Sequence, residues 1–309
     1  MIEAKQLTKR FGPKAAVDDL TFTVAPGTVT GFLGPNGSGK STTMRMIVGL
    51  DLPTRGGVTV NGRRYADHPA PLHEVGALLE ARAVHTGRTA ENHLLALAAT
   101  HAIPRRRVDE VIDLVGLGEV ARKRVGAFSL GMGQRLGIAA ALLGDPSTLI
   151  LDEPVNGLDP EGIRWVRNLL KSLAAEGRTV FVSSHLMSEM AQTADHVIVI
   201  GRGRLIADVS MDELVQNASG GAVRVRSRDA GRLRDLLVAP DVTVSEEGGG
   251  VLVVRGTSAE HVGDVACAHG IAVHELFTES ASLEEAFMEL TTDAVEFHGH
   301  TDQPDRSAA

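Results

Sequence analysis

The sequence predicts an α/β protein built on a parallel sheet, with a small α+β domain after it. Between residues 148 and 200, strand-length apolar runs alternate with helical segments, which is the pattern of βαβ units. After a glycine-containing stretch at 217–221, the elements follow the order β-α-β-β-α-β, which predicts a ferredoxin-like domain. A chain of 309 residues has room for one large and one small domain.

The first part of the chain predicts an antiparallel β subdomain that runs into a strand, a loop and a helix. Short strands separated by turn signals end in a buried strand at 29–33. A glycine-rich loop follows, and helical spacing predicts a helix over 42–50. Residues 91–144 have an almost continuous helical pattern, so a helical subdomain is predicted at about 81–145.

The alternating region completes the predicted parallel sheet. Strands are predicted at 148–151, 179–183 and 196–200, with helices at 160–175 and 187–193 between them. Parallel strands end at one edge of a sheet, so side chains that follow these strands are expected to lie near the glycine-rich loop.

The chain therefore divides into a domain at 1–219, an α+β accessory domain at 220–292, and a polar tail at 293–309 that is predicted to be disordered. The accessory domain contains no recognisable catalytic pattern, and we expect it to serve regulation or dimer contact. A helix predicted at 283–290 carries an apolar stripe, which is more typical of core packing than of a partner groove: Leu283, Ala286, Phe287 and Leu290.

Composition and charge exclude several classes of protein. The apolar fraction of 43% and the charged fraction of 23% are typical of a folded globular chain. A net charge of −8 offers no basic surface, so we expect no nucleic-acid partner. One cysteine, Cys267, together with the lack of a signal-like N-terminus and of any bilayer-length apolar run, predicts a cytoplasmic protein. Contact with a membrane is then expected only through a partner.

A phosphate-binding loop is predicted between the strand at 29–33 and its helix. Eight residues fit the pattern G-x-x-x-x-G-K-[ST]: Gly34, Pro35, Asn36, Gly37, Ser38, Gly39, Lys40 and Ser41. The glycines let successive backbone N–H groups turn inward around a polyphosphate. Lys40 is expected at the β- and γ-phosphates, Ser41 at Mg²⁺ and Thr42 at the α-phosphate. The sequence thus predicts a site for ATP and Mg²⁺, and the alternative is a glycine-rich turn that matches by chance.

Two carboxylates follow the apolar strand at 148–151. Their position at the carboxyl edge of the sheet places Asp152 and Glu153 beside the phosphate loop. We expect Asp152 to hold Mg²⁺ and Glu153 to orient and polarise the water that attacks the γ-phosphate. In isolation such a pair more often caps a loop that faces solvent, but the phosphate loop favours the metal and water roles.

With these motifs in place, residues 1–218 resemble the nucleotide-binding subunit of ABC transporters, a P-loop NTPase class. The family's signature, Leu-Ser-Gly-Gly-Gln, corresponds to the stretch at 128–132. Ser129 and Gly131 match it, whereas Phe128, Leu130 and Met132 depart from it. The resemblance implies that Ser129 and Gly131 bind a γ-phosphate at the start of a helix. Taken alone, the serine is more typical of a simple helix N-cap.

Further positions correspond to residues with known roles in this family. Phe11 resembles the aromatic that stacks on adenine, and the alternative is a buried phenylalanine at a strand end. Asp159, within Asn156-Gly157-Leu158-Asp159, resembles a residue of the loop that crosses the dimer interface, and the alternative is an Asp-Pro turn. His185 matches the histidine that contacts the γ-phosphate and is predicted to be catalytic with Glu153, although a lone histidine after a strand is more often structural.

Glu80 occupies the position at which the family commonly has a glutamine that meets Mg²⁺, water and the membrane partner. A glutamate there can bind the metal but adds negative charge and, when ionised, donates no hydrogen bond. A similar glutamate occurs in the subgroup that exports antibiotics and lantibiotics, which Ser282-Leu283-Glu284-Glu285-Ala286-Phe287 also resembles. The alternative for Glu80 is a solvated loop acid.

In this family each nucleotide lies between the phosphate loop of one subunit and the signature of another, and this chain carries one of each. The resemblance therefore implies a head-to-tail dimer of two copies, ATP hydrolysis that opens it, and a separate integral membrane permease. We expect the chain to lie on the inner face of the cell membrane through that permease. Two alternatives are a soluble ABC protein that acts on ribosomes or in DNA repair, and a self-resistance factor that sequesters a drug.

Overall fold

The computed structural model describes residues 1–80, 83–185, 187–214 and 222–278. The chain forms two compact units, which divide between Asp208 and Val209, inside the strand Arg204–Ser210. The predicted linker at 217–221, the predicted helix at 283–290 and the predicted tail at 293–309 lie outside the described residues. The predicted domain boundary at residue 219 remains a prediction.

The first unit begins with three strands, and strands and helices alternate between residues 148 and 201. Its strands are β1 Ile2–Phe11, β2 Lys14–Val24, β3 Val29–Leu33, β4 Arg55–Val60, β5 Val75–Leu78, β6 Thr148–Asp152, β7 Thr179–Ser184, β8 His196–Gly201 and β9 Arg204–Ser210. Its helices are α1 Lys40–Ile47, α2 Pro71–Glu74, α3 Ala90–Thr100, α4 Arg105–Leu114, α5 Leu130–Leu142, α6 Pro160–Ala175 and α7 Met187–Thr193.

A six-stranded sheet in the order β5-β6-β7-β3-β8-β9 forms the centre of this unit, and a three-stranded sheet in the order β2-β1-β4 accompanies it. The pairings of β5 with β6, β6 with β7, and β3 with both β7 and β8 are parallel, as the βαβ alternation predicts. The smaller sheet pairs antiparallel. Three helices, α3, α4 and α5, lie in the stretch for which a helical pattern was predicted, but residues 115–129 between α4 and α5 form no α-helix, and the subdomain bounds at about 81–145 stay a prediction. Strand β9 was missing from the sequence prediction.

The register of the parallel strands positions the site. Asp152 at the end of β6 pairs with Ser183 near the end of β7, and Leu33 at the end of β3 pairs with Ser184. Because β6, β7 and β3 are neighbours and run in the same direction, the loops that follow them meet at one edge of the sheet.

The core between the two sheets is apolar and contains three phenylalanines. Phe22, Phe32 and Phe181 are buried, and their ring centroids lie 4.9 to 5.8 Å apart. Such aromatic contacts add about 0.5–1.5 kcal/mol each to the burial of apolar surface. The loops that follow β3 and β7 are therefore anchored to a tightly packed core.

Helix α1 differs from the sequence prediction at both ends. It begins at Lys40, after Gly39 with φ of 106°, and not at Thr42. Its helical run ends at Ile47 because Gly49 takes a left-handed conformation with φ of 71°, whereas the apolar spacing predicted helix through residue 50. The earlier start places Lys40 and Ser41 in the first turn.

The second unit has the element order predicted for a ferredoxin-like domain. It contains β10 Val223–Ser227, α8 Ala230–Leu237, β11 Thr243–Gly248, β12 Val251–Arg255, α9 Ala259–Ala268 and β13 Val273–Thr278. The four strands pair antiparallel in the order β11-β12-β10-β13. Buried apolar residues of the sheet and of both helices form its core.

Candidate functional site

The loop between β3 and α1 is packed so closely that three of its positions require glycine. A Cβ on Gly34 would lie 2.4 Å from the carbonyl oxygen of Ile200, and a Cβ on Gly39 would lie 2.5 Å from that of Ala16. Gly37 and Gly39 also take φ of 81° and 106°, which side-chain-bearing residues rarely adopt. The loop thus has the tight curvature that the phosphate-loop pattern predicts.

Lys40 lies on the inner side of this loop. Its side chain is 7% exposed, and its ammonium donates hydrogen bonds to the carbonyl oxygens of Gly34 (2.6 Å) and Pro35 (3.3 Å). Burial lowers the pKa of Lys40, while the carboxylates of Glu153 and Asp152 oppose that shift. A polyphosphate in the loop would supply the negative charge that favours the ammonium form.

Two serine hydroxyls bind the carboxylate of Asp152. Ser41 Oγ donates to Asp152 Oδ2 over 2.6 Å, and Ser183 Oγ donates to Oδ1. Hydroxyl and carboxylate oxygens are the ligands that Mg²⁺ prefers. A further hydroxyl, Ser38 Oγ, is buried and has no hydrogen-bond partner among the described residues, which is what a missing phosphate oxygen would leave. The residues present therefore fit both a phosphate and a magnesium ion.

Glu153 follows β6 in a strained backbone conformation with φ of 51°. Its backbone N–H donates to Ser183 Oγ over 3.0 Å, and Nδ1 of His185 lies 2.8 Å from Glu153 Oε2. The side chain of Gln134 donates to the carbonyl oxygen of Glu153 over 3.0 Å. His185 thus contacts the carboxylate itself, whereas Ser183 and Gln134 hold the backbone of Glu153.

A cavity of about 640 Å³ lies at this edge of the sheet, which is within the usual range for a small-molecule site. Ten of the predicted site residues line it: Phe11, Asn36, Gly37, Gly39, Lys40, Ser41, Thr42, Glu80, Asp152 and Glu153. The predicted residues Gly34, Pro35 and Ser38 belong to the loop but do not line the cavity, and His185 reaches it through Glu153.

Phe11 lines the cavity at the end of β1, just before the turn into β2. Its side chain is 54% exposed, and the ammonium of Lys9 lies 5.1 Å from the ring centroid. This exposure excludes the alternative of a buried phenylalanine at a strand end. An exposed ring at the rim of a cavity is available for stacking against a flat ligand.

Glu80 also lines the cavity, just past the end of the edge strand β5. Its side chain is exposed, and residues 81–82 after it lie outside the described residues. Its carboxylate faces the same space as those of Asp152 and Glu153. The position is compatible with the predicted role at a metal ion.

The structure does not bring Ser129, Gly131 and Asp159 into this cavity. Ser129 caps α5 by accepting from the Met132 N–H (3.2 Å), and Asp159 caps α6 by accepting from the Gly162 N–H (2.8 Å). Ser129 and Asp159 are both exposed. These residues therefore lie at accessible helix N-termini outside the phosphate site of their own chain.

Residues that the sequence prediction did not assign also contribute to the site. Lys14, Ala16, Leu79, Leu130, Gln134 and Asn156 line the cavity, and Ser183 binds both Asp152 and Glu153. Ser183 ends the predicted strand at 179–183, but its contacts with Asp152 and Glu153 depend on the pairing of β6 with β7, which the sequence pattern does not reveal.

Comparison with known proteins finds relatives among ATP-binding subunits of ABC transporters. The profile of the ABC transporter family matches residues 17–156, and a domain of unknown function matches residues 221–284. The bacitracin transport ATP-binding protein of Bacillus licheniformis is 44% identical over 217 residues, which cover 69% of this chain and 71% of that protein. The daunorubicin resistance ATP-binding protein of Streptomyces coeruleorubidus is 33% identical, with 92% of this chain and 94% of that protein covered.

Among solved structures, the chain is similar to a dimeric ATP-binding cassette in a post-hydrolysis state with ADP and Pi bound. The TM-score is 0.62 at 26% identity, with 68% of this chain and 99% of that chain covered. The similarity covers a length that corresponds to the first unit alone.

Proposed function

Because the chain belongs to the ABC transporter family of ATP-binding subunits, we propose that it hydrolyses ATP to power a separate membrane permease that exports antibiotics, lantibiotics or other hydrophobic compounds. The observation that carries this proposal is that the phosphate loop, Asp152 and Glu153 line one cavity, with His185 in contact with Glu153. The named relatives in bacitracin transport and daunorubicin resistance support the class of cargo.

ATP occupies the cavity with its adenine against Phe11 and its phosphates in the loop. Lys40 exchanges its bonds to the loop carbonyls for the β- and γ-phosphates, and Thr42 bonds the α-phosphate. The backbone N–H groups of the loop and the start of α1 face the remaining phosphate oxygens. The buried hydroxyl of Ser38 gains the partner that it lacks within the described residues.

Ser41, Asp152 and Glu80 would hold Mg²⁺. The ion, when bound, offsets the negative charge of the β- and γ-phosphates. Ser183 keeps Asp152 aligned for that contact, since it donates to the other carboxylate oxygen. Glu80 brings a carboxylate where the family commonly has a neutral amide, so the metal contact adds charge at this position.

Glu153 orients and polarises the attacking water. The water lies between the carboxylate and the γ-phosphate, and His185 fixes the carboxylate by its contact with Oε2. His185 also contacts the γ-phosphate once ATP is bound. The arrangement is one of positioning and electrostatic stabilisation, which is how phosphoryl transfer is catalysed in P-loop proteins.

Two copies of the chain complete each other's sites. Ser129, Gly131 and Asp159 lie outside the cavity of their own chain, near the starts of α5 and α6. This supports a contact of Ser129 and Gly131 with the γ-phosphate bound by a second copy, and a position of Asp159 in the loop that crosses the dimer interface. The dimeric relative with ADP and Pi bound supports this assembly. Loss of the γ-phosphate on hydrolysis removes the contact that joins the copies, and the dimer opens.

The motion is delivered to a membrane protein. Within the part of the chain that the structure describes, no helix has both the length and the apolar character to cross a bilayer. We propose, from its resemblance to transport subunits, that the chain lies on the inner face of the cell membrane through an integral permease.

Purification of the tagged chain from gently solubilised membranes tests this proposal. A multi-span membrane protein is expected to co-purify, and the complex is expected to hydrolyse ATP cooperatively. Recovery of the chain without any membrane protein, from membranes trapped with ATP, would contradict the transport role. A self-resistance factor would instead bind the drug directly, so drug affinity in the isolated chain is measured in parallel.

A further inference from the structure

Gln134 joins the helix of the signature motif to the catalytic loop of the same chain. It lies on α5 and is buried, with 3% of its surface exposed. Its side-chain amide donates to the carbonyl oxygen of Glu153 over 3.0 Å. A buried amide is costly unless its hydrogen bonds are made, so this contact specifies one relative position of helix and loop.

The carbonyl that Gln134 binds belongs to the residue whose carboxylate orients the water. Glu153 has φ of 51°, so its backbone needs outside support to hold that conformation. Its carbonyl oxygen accepts from the Asn156 N–H at 3.2 Å as well as from Gln134. The Asn156 bond stays within the loop, whereas the Gln134 bond fixes the loop to another element.

A second contact joins the same helix to the same loop. Gly157 has φ of 75°, and a Cβ on it would lie 2.3 Å from Leu130 Cδ2. A Cβ on Gly131 would lie 2.9 Å from the carbonyl oxygen of Gly157. The first turn of α5 therefore packs against backbone, and a shift of the helix start displaces the loop that carries Glu153.

We propose that Gln134 is a positioning residue through which engagement of Ser129 by the second copy's nucleotide sets the orientation of this chain's own Glu153. The proposal rests on the shared-site dimer proposed above. Ser129 caps the start of the helix, and Gln134 lies about 1.4 turns further along it, so both move with the same segment. Hydrolysis at one site then depends on occupation of the other.

The first test replaces Gln134 by methionine, which keeps the size of the side chain and removes the donor. We expect kcat to fall about tenfold or more, because small displacements of a catalytic group are costly. The Kd for a fluorescent ATP analogue should stay within about twofold of the wild type. Gln134→Glu also lacks the amide donor and serves if methionine disturbs folding. It should likewise lower kcat while leaving the Kd nearly unchanged. Equal kcat in wild type and both folded variants would overturn the proposal.

Arg135→Lys is the matched control in the same helix. Arg135 donates to the carbonyl oxygen of Val115 and stacks on Trp165, with 4.7 Å between its guanidinium carbon and the ring centroid. This variant should lose stability while its kcat per folded molecule stays close to wild type. An equal fall in kcat in the control would assign the effect of Gln134 to general loosening of α5 and would overturn the positioning role.

Mixed dimers distinguish action on the same chain from action on the partner. Each contains Glu153→Gln in one copy, and a single round of ATP hydrolysis is measured at the other copy. With Gln134→Met on the copy that keeps Glu153, hydrolysis should slow about tenfold or more. With Gln134→Met on the copy that carries Glu153→Gln, the rate of hydrolysis should match that of the mixed dimer with Gln134 in both copies. Slow hydrolysis in the second arrangement would overturn the proposal, whereas failure of the wild type to bind ATP would overturn the proposed function.

Discussion

Nδ1 of His185 lies 2.8 Å from Oε2 of Glu153, although the two residues follow different strands. The contact exists because β6 and β7 are parallel neighbours that end at the same edge of the sheet. It orients the carboxylate at the wall of the cavity while leaving the histidine outside the cavity lining. In this pair, His185 positions the carboxylate that is proposed to orient the attacking water.

Replacement of His185 by alanine should therefore reduce kcat more than it reduces affinity. We expect kcat to fall about 100-fold, within the range for groups that assist proton transfer. The Kd for ATP should change little, because the phosphate loop remains. His196→Ala is the control, since His196 bonds Asp208 at 2.6 Å outside the cavity lining. Unchanged turnover in His185→Ala would contradict the role of the pair.

Replacement of Phe11 by alanine should weaken ATP binding about tenfold, since base stacking on an aromatic side chain contributes about 1–3 kcal/mol. Stability should hardly change, because the side chain is already 54% exposed. Phe11→Trp should retain affinity. Phe277→Ala removes a phenylalanine that is 47% exposed in the second unit and serves as the control. Titration with a fluorescent ATP analogue measures all three, and equal affinity in Phe11→Ala and wild type would refute stacking.

Replacement of Lys40 by methionine should reduce ATP affinity by tenfold or more and yet stabilise the nucleotide-free protein. Burial lowers the pKa of Lys40 in the folded state. The unfolded chain therefore holds this proton more tightly, so the charged Lys40 lowers the free energy of unfolding at neutral pH. This destabilisation fades as the pH rises through the folded-state pKa. Urea unfolding should show Lys40→Met more stable than wild type at pH 7, with a smaller gap in alkali. Lys171→Met, at an exposed position of α6, should show no such trend.

Replacement of Asp145 by asparagine should destabilise the protein slightly, and only above acidic pH. The hydrogen bond from Arg178 is the largest cause that lowers the pKa of Asp145. A lowered folded pKa gives stability that is present above the unfolded pKa and is lost as pH falls through the folded pKa. Because the side chain is 61% exposed, the effect at pH 7 should be below about 1 kcal/mol. Urea unfolding at neutral and acidic pH measures it, and a gap that widens in acid would contradict the assignment.

The parts of the site that local sequence determines were predictable, and the parts that depend on packing were not. The phosphate loop follows from its glycines and from Lys40, whose spacing is a local property. Ser183 binds Asp152 only because of the register between β6 and β7, which no local pattern contains. Gln134 reaches Glu153 because α5 packs beside the loop. The start and the end of α1 depend on the backbone angles of Gly39 and Gly49, and not on the apolar spacing.

The most direct test of the account is the assembly state of Glu153→Gln with ATP and Mg²⁺, measured by light scattering after size-exclusion chromatography. Two copies should join with nucleotide in both sites, because the γ-phosphate that bridges them is no longer hydrolysed. Adding Ser129→Arg, which places a bulky side chain at the shared contact, should return the chain to a monomer. A Glu153→Gln protein that binds MgATP and stays monomeric would contradict the shared-site mechanism.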